Sequence, residues 1–413
     1  MKKTLFIITL LLNCLLLVSS CNKNDSPTIS IAKPIVIKPE HKTKLQNTNN
    51  FSINLFKTMV AESKNENLFI SPYSASTVLD MLWNGADGNT AKELEKVLGN
   101  STYTKDQINV FSMNLINDLL KVDPTSTLKI ANIIVADNST PFLPSFVEIN
   151  KKWYNANVRN INFSNSSDVQ SIDNWCKKNT NGKISKISDS FSLDTKFALI
   201  NAIYFKGKWA HKFEKSKTQL EQFTNSDGSS VKVNMMNQRE DLEYSDDNTD
   251  WKMLKLNYGN KAFSMVILMP LNNEPLDSKI STLTSEKFYA LLNSMNEYLV
   301  TVKLPKFRSE YKHNLNEVVL PKMGITELFD SQKANLSQMC ESNMVVDKFI
   351  QKTYIDVYEE GTEAAAATIA SGNITSPPPG TPIDFFVDKP FIYSIIEEST
   401  GTILFIGRMN YFN

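Results

Sequence analysis

Two hydrophobic patterns alternate along the chain. Unbroken apolar runs read as strands buried on both faces. Stripes at three- and four-residue spacing read as helices with one face on a core. The runs are Leu68–Ile70, Ile130–Ala136 (IANIIVA), Phe197–Phe205, Met265–Leu271 (MVILMPL), Val300–Phe307 (VTVKLPKF) and much of Phe386–Met409. The stripes begin with Phe51, Ile53, Leu55, Phe56, Met59 and Val60. Ser71 before Pro72 predicts a helix start, with Ser74, Val78, Leu79, Met81 and Leu82 on the buried side and a stop at Gly85. Thr90 is expected to cap a second helix, AKELEKVL, and Phe142–Asn157 an amphipathic third. Gly182 marks a helix end within Val169–Ser188.

One stretch fits neither pattern. VYEEGTEAAAATIASGNITS, Val357 to Ser376, carries an alanine run between Gly361 and the breaker-rich SPPPGTP. Alanine favours helix, but the glycine before and the prolines after leave little room, so an exposed loop is expected. In a strand, alternate residues face opposite sides. Thr362, Ala364, Ala366 and Thr368 would then share one face, small enough to slip between existing strands, while Glu363 points to water. A loop able to become a central strand is a switch.

The first residues read as an address. Lys2 and Lys3 precede the apolar run Leu5–Val18, closed by Val18-Ser19-Ser20-Cys21. This predicts a secretory signal over residues 1–20, its apolar run too short to span a membrane comfortably. VSSC also resembles a bacterial lipobox, which implies lipidation of Cys21 and a membrane anchor of two acyl chains. A plain signal peptide ending in a chance cysteine is the alternative. Residues 21–50, polar and dotted with proline, are expected to be a tether, and 51–413 the folded domain.

Composition narrows the chemistry. Lysine plus arginine balances aspartate plus glutamate at 44 each, with no cationic cluster suited to nucleic acid. Of four cysteines, Cys14 would leave with the signal and Cys21 carry lipid. Cys176 and Cys340 remain, read as buried thiols with one mutual disulfide as the other possibility. Neither has metal-ligand spacing, and no cofactor is expected. Beyond residue 50 the histidines are His211 and His313, with no G-x-S-x-G elbow. The chain is therefore not expected to be an enzyme.

Several segments in one order carry a family resemblance: NLFISPYS (Asn67–Ser74), LINAIYFKGKW (Leu199–Trp209), LPKMGITELFD (Leu320–Asp330), GTEAAAAT (Gly361–Thr368) and FVDKPFIYSIIEESTGTILFIGRM (Phe386–Met409). Together they resemble the serpins from about residue 50 to the end. The resemblance implies one α+β domain, the serpin fold, with three β-sheets, about eight or nine helices and an exposed reactive-centre loop near 359–385. It implies a hinge at Glu359, Gly361, Thr362, Glu363, Ala364, Ala365, Ala366, Ala367 and Thr368. It places Ser71, Ser74, Asn201, Trp209 and Gln351 where the main sheet opens. Asn201 stands alone in an apolar run, where an unpaired amide is costly, so the serines of the Ser71 helix are its expected partners. Trp209 would pack where the hinge enters, and the Phe142–Asn157 helix would cross the sheet.

Two departures stand out. Where the family often has a histidine in the strand before the hinge, this chain has Gln351, able to hydrogen-bond but not to titrate near neutrality. The loop from Gly361 to Pro390 is also longer than the family spacing by about four residues, a small entropic cost in a surface loop.

The implied function is suicide inhibition of a serine protease, as a monomer, with the cleaved loop inserting as a strand; serpins are themselves a standing example of such strand addition. Counting seventeen residues from Glu359 puts the scissile bond at Thr375-Ser376, with Ile374-Thr375 the neighbouring choice. A small residue at the bond suits elastase-like pockets. The alternatives are a non-inhibitory serpin that binds or builds, and an inhibitor of papain-like cysteine proteases.

Overall fold

In the computed structural model, the described residues are 31–362 and 382–413, except Asn65, Ser188, Ser190, Leu193, Asn273 and Asn343. Helix α1 (Lys42–Glu62) is followed by strand β1 (Leu68–Ile70) and helices α2 (Pro72–Trp83), α3 (Gly88–Leu98) and α4 (Lys105–Leu119). Next come β2 (Thr127–Asp137), α5 (Pro144–Tyr154), β3 (Asn157–Ile161), α6 (Ser166–Asn179) and β4 (Phe197–Lys208). The middle of the chain forms β5 (Gln219–Thr224), β6 (Ser230–Asp246), β7 (Trp251–Asn257) and β8 (Phe263–Pro270). Helices α7 (Leu276–Thr282) and α8 (Ser285–Asn293) precede β9 (Asn296–Pro305), β10 (Phe307–Asn314) and α9 (Val319–Met323). The last strands are β11 (Lys348–Tyr358), β12 (Gly361–Thr362), β13 (Ile383–Phe386), β14 (Phe391–Glu397) and β15 (Thr402–Met409). This is the expected α+β domain.

The strands form a six-stranded main sheet, ordered β10-β11-β12-β4-β2-β3, and a larger network. In that network β6 pairs with β5 and β9 along most of its length and with β7 at its end. The second and third expected sheets are therefore continuous through β6.

Each face of the main sheet has its own core. Leu199, Ile203 and Phe205 of β4 and Phe349, Ile355 and Val357 of β11 face inward into the large cluster. Helix α2 lies in that cluster, buried along its whole length. Ala198, Ile200 and Ala202 face outward, beneath Ile172 and Cys176 of α6. The helix over the sheet is thus α6, whereas α5, the one expected there, packs against α4 and β3.

Other boundaries also move. Helix α1 starts at Lys42, within the segment expected to be tether. Its first turns bury Lys44, Thr48 and Asn49 rather than apolar residues. Asp87, not Thr90, caps α3 by accepting a bond from the Gly88 amide; the buried Thr90 hydroxyl accepts from the Asn335 amide instead. Ser71 occupies the cap position of α2, but its hydroxyl donates to the Leu404 carbonyl at 2.6 Å. Cys176 and Cys340 are both free and buried, and burial pushes the Cys176 thiol up to about 12.

Candidate functional site: the parting of β4 and β11

Strands β4 and β11 run parallel and pair directly from Lys348↔Ala198 to Thr353↔Ile203. Beyond that point they part, and β12 lies between them. Gly361 faces Lys208 and Tyr358, and Thr362 faces Gly207 and Val357, antiparallel to both neighbours. Gly361 has φ +147°, and a Cβ there would sit 2.1 Å from the Gly207 carbonyl oxygen. Only glycine fits such an approach. Thr362 points inward and is 2% exposed.

Aromatic and charged groups surround this entry. The Tyr258 and Thr362 hydroxyls share a 2.6 Å hydrogen bond. Tyr258 stacks on Trp209, ring centroids 4.5 Å apart. The Trp209 indole N–H donates to the Tyr358 carbonyl at 2.9 Å and its backbone N–H to the Glu360 carbonyl at 3.0 Å. The buried Glu359 carboxylate pairs with Lys306 at 2.9 Å and accepts from the Thr218 hydroxyl at 2.9 Å. Burial opposes its ionisation, but the Lys306 bond, a bond from its own backbone N–H and the Thr218 bond together prevail and hold its carboxyl below the ordinary glutamate value. Lys215 reaches the neighbouring Glu360 at 3.1 Å.

Lower in the sheet a polar row crosses four strands on the inward face. Register pairs Asn132 with Asn201, Asn201 with Gln351, and Gln351 with His313. The Asn201 amide donates to Asn132 Oδ1 at 2.6 Å and to Ser74 Oγ. The Gln351 amide donates to Asn201 Oδ1 at 2.9 Å and to the Ser71 carbonyl at 2.8 Å, while its oxygen accepts from the Ser71 N–H at 2.8 Å. Ser71, Ser74, Asn201 and Gln351 therefore meet in one network, through the Ser71 backbone rather than its hydroxyl. Burial pushes the His313 imidazole down to about 4, and its Nε2 has no hydrogen-bond partner.

Sequence reasoning missed Asn132, His313, Tyr258 and Lys306. Asn132 was visible: it interrupts IANIIVA as Asn201 interrupts its own strand. The others approach only through pairing of distant strands. Glu363, Ala364, Ala365, Ala366, Ala367, Thr368, Ile374, Thr375, Ser376 and Cys21 lie outside the described residues. Among the described residues, no group of three His, Cys, Asp or Glu side chains is placed to hold a metal ion.

The arrangement is mechanical: a sheet partly open at one end, with a two-residue wedge in the opening. Comparison with known proteins agrees with that form. A family model described as serpin (serine protease inhibitor) matches residues 46–411. Human Serpin B8 is 34% identical over 370 residues, covering 87% of this chain and 97% of its own length. Human leukocyte elastase inhibitor is 34% identical with the same coverage. The native structure of the thermophilic serpin tengpin superposes with TM-score 0.81 at 32% identity, covering 95% of this chain and 99% of its own. On the family model, the sequence identity and the superposition together, the chain belongs to the serpin family.

Proposed function

We propose that this serpin inhibits serine endopeptidases as a suicide substrate. The observation that carries the reading is the position of Gly361 and Thr362, antiparallel between two parallel strands. Parallel pairing is slightly weaker per residue than antiparallel. A strand extended downward from Thr362 would replace the single β4–β11 ladder with two antiparallel ones. Six residues past Thr362, Thr368 would meet Asn201 on one side and Gln351 on the other, both strands giving the same register. Thr375 would pass the starts of both strands, about 45 Å from the hinge at ~3.4 Å per residue.

In this reading the protease serine attacks the Thr375 carbonyl, forming an ester and freeing the Ser376 amine. Insertion then carries the acylated protease to the far end of the sheet, where its catalytic geometry is pulled apart and deacylation fails. The serpin supplies no catalytic group. The threonine favours elastase-like targets, and a relative named leukocyte elastase inhibitor supports that class. We also propose export by the residue 1–20 signal and anchoring to a bacterial envelope membrane through lipid on Cys21, with residues after it as tether.

The test is incubation with a panel of serine proteases, followed by a denaturing gel and mass analysis of the released fragment. A stable covalent band and a fragment beginning at Ser376 are expected. Cleavage of every loop without a covalent band would instead favour a non-inhibitory serpin.

A further inference from the structure

Three consecutive residues of the β7–β8 turn hold three separate parts of the chain. Tyr258 bonds the hinge at Thr362. The Gly259 N–H donates to the Lys208 carbonyl at the end of β4, at 2.8 Å. The Asn260 carbonyl accepts from the Ala32 N–H at 3.1 Å. Ala32 belongs to residues 31–38, which precede α1 and lie outside the matched family region, 46–411.

This segment also grips a second turn. The Ile35 N–H donates to Ser399 Oγ at 2.8 Å, and that hydroxyl donates onward to the Glu397 carboxylate at 2.6 Å. Ile35 is buried, with 9% exposure, and Ala32 and Ile37 pack on the core, while Val36 points outward at 84% exposure. One side of the segment is therefore fitted to the domain and the other is free.

We propose that residues 31–38 are a strap that restrains the hinge end and slows insertion of the uncut loop. The proposal rests on the insertion reading above. For β4 to move from β11, Lys208 must either leave Gly259 or take the turn with it. That turn is already joined to the Glu397–Gly401 turn by the Glu398 N–H, which donates to the Ala262 carbonyl at 2.9 Å. The strap adds a second tie across the same two turns and so strengthens resistance to the second course. With the strap released only the direct tie remains, and the barrier to spontaneous insertion falls.

The experiment uses the full chain and three variants: Ile35→Asn, Ser399→Ala and the control Val36→Asn. Each is incubated without protease, and two quantities are followed: loss of inhibition, and growth of a form melting above the starting protein. Ile35→Asn should convert about tenfold faster, which is a barrier lower by ~1.4 kcal/mol. Ser399→Ala should convert severalfold faster, and its Gly259 and Thr362 amides should exchange hydrogen faster. Val36→Asn should match wild type. Wild-type rates in both strap variants would overturn the proposal, as would a lower melting point with no higher-melting form. If Ile35→Asn does not fold, the Ser399→Ala rate and exchange decide. Wild type cut in the loop separates the two ideas: no rise in its melting point sinks insertion itself, whereas a rise with unaltered variants sinks only the strap.

Discussion

The hydroxyls of Tyr258 and Thr362 meet 2.6 Å apart where β4 and β11 separate, both side chains buried. The contact fixes the register in which the hinge stands between the strands. Tyr258→Phe keeps the stack on Trp209 and removes one buried bond, leaving the Thr362 hydroxyl without its partner. The uncut protein should lose about 1–3 kcal/mol, read as a lower melting point with inhibition still measurable. Thr362→Arg should go further. Position 362 is already buried between the strands in the uncut protein, so an unpaired charge there should push the hinge out of the sheet, lower the melting point and turn inhibitor into substrate. A covalent band from that variant equal to wild type would end the insertion reading.

Glu359→Lys replaces an ion pair with two facing ammonium groups at a half-buried contact, the Glu359 side chain 5% and that of Lys306 35% exposed. Solvent access to Lys306 keeps the cost below the ~3–5 kcal/mol of breaking a fully buried pair, and a lower melting point of the uncut protein is expected. Wild type should show the same weakness in acid. The folded-state value of Glu359 lies below its ordinary one, so its contribution is complete above the unfolded value and disappears as pH falls through the folded one. Urea unfolding at a series of acid pH values, wild type against Glu359→Gln, isolates that part.

Thr368→Val tests the register. The two side chains share a branched shape, which a strand accepts equally, but valine cannot bond Asn201 or Gln351. The cleaved variant should gain less melting temperature than cleaved wild type. An equal gain would place another residue at the polar row.

His313 gives the sheet an acid limit. Its folded value, about 4, lies below the unfolded 6.5. The unfolded chain therefore binds the proton first, and stability falls as pH drops from about 6.5 to 4, by at most ~1.4 kcal/mol per pH unit. In denaturant titrations the stability difference between wild type and His313→Phe should be constant above about pH 6.5, change as pH falls to about 4 and be constant again below, with only the His313 part of the slope absent in the variant.

Thr375→Arg should create inhibition of trypsin-like proteases, whose pocket ends in a carboxylate. It should cost most of the rate against elastase-like ones, whose small pocket cannot desolvate a guanidinium. Association rates with one protease of each kind decide it; no gain against trypsin would put the bond elsewhere.

What the sequence made legible was whatever leaves a local pattern. Buried strands show as continuous apolar runs, and a lone amide such as Asn201 shows by contrast with its neighbours. The alternation that turned Thr362 inward needed only the two-residue period of a strand. The start of α1 did not show, because its first buried face is polar: Lys44 donates to Asn100 Oδ1 at 2.7 Å and pairs with Asp80 at 3.4 Å. No hydrophobic stripe marks such a face. His313 did not show because strand pairing brings it opposite Gln351 across 38 positions of chain. The titratable group absent at Gln351 is one strand away.

The strap sets a direction for the whole molecule. From Ala32 to Asn260, Gly259, Lys208 and Gly361 the path is a chain of bonded or adjacent residues, roughly 20 Å in all at ~4–5.5 Å per step. The amino-terminal side of the chain thus joins the domain beside the hinge. On the proposed insertion, a protease would be taken in at the pole where residues 31–38 join the domain and, once trapped, left at the opposite one.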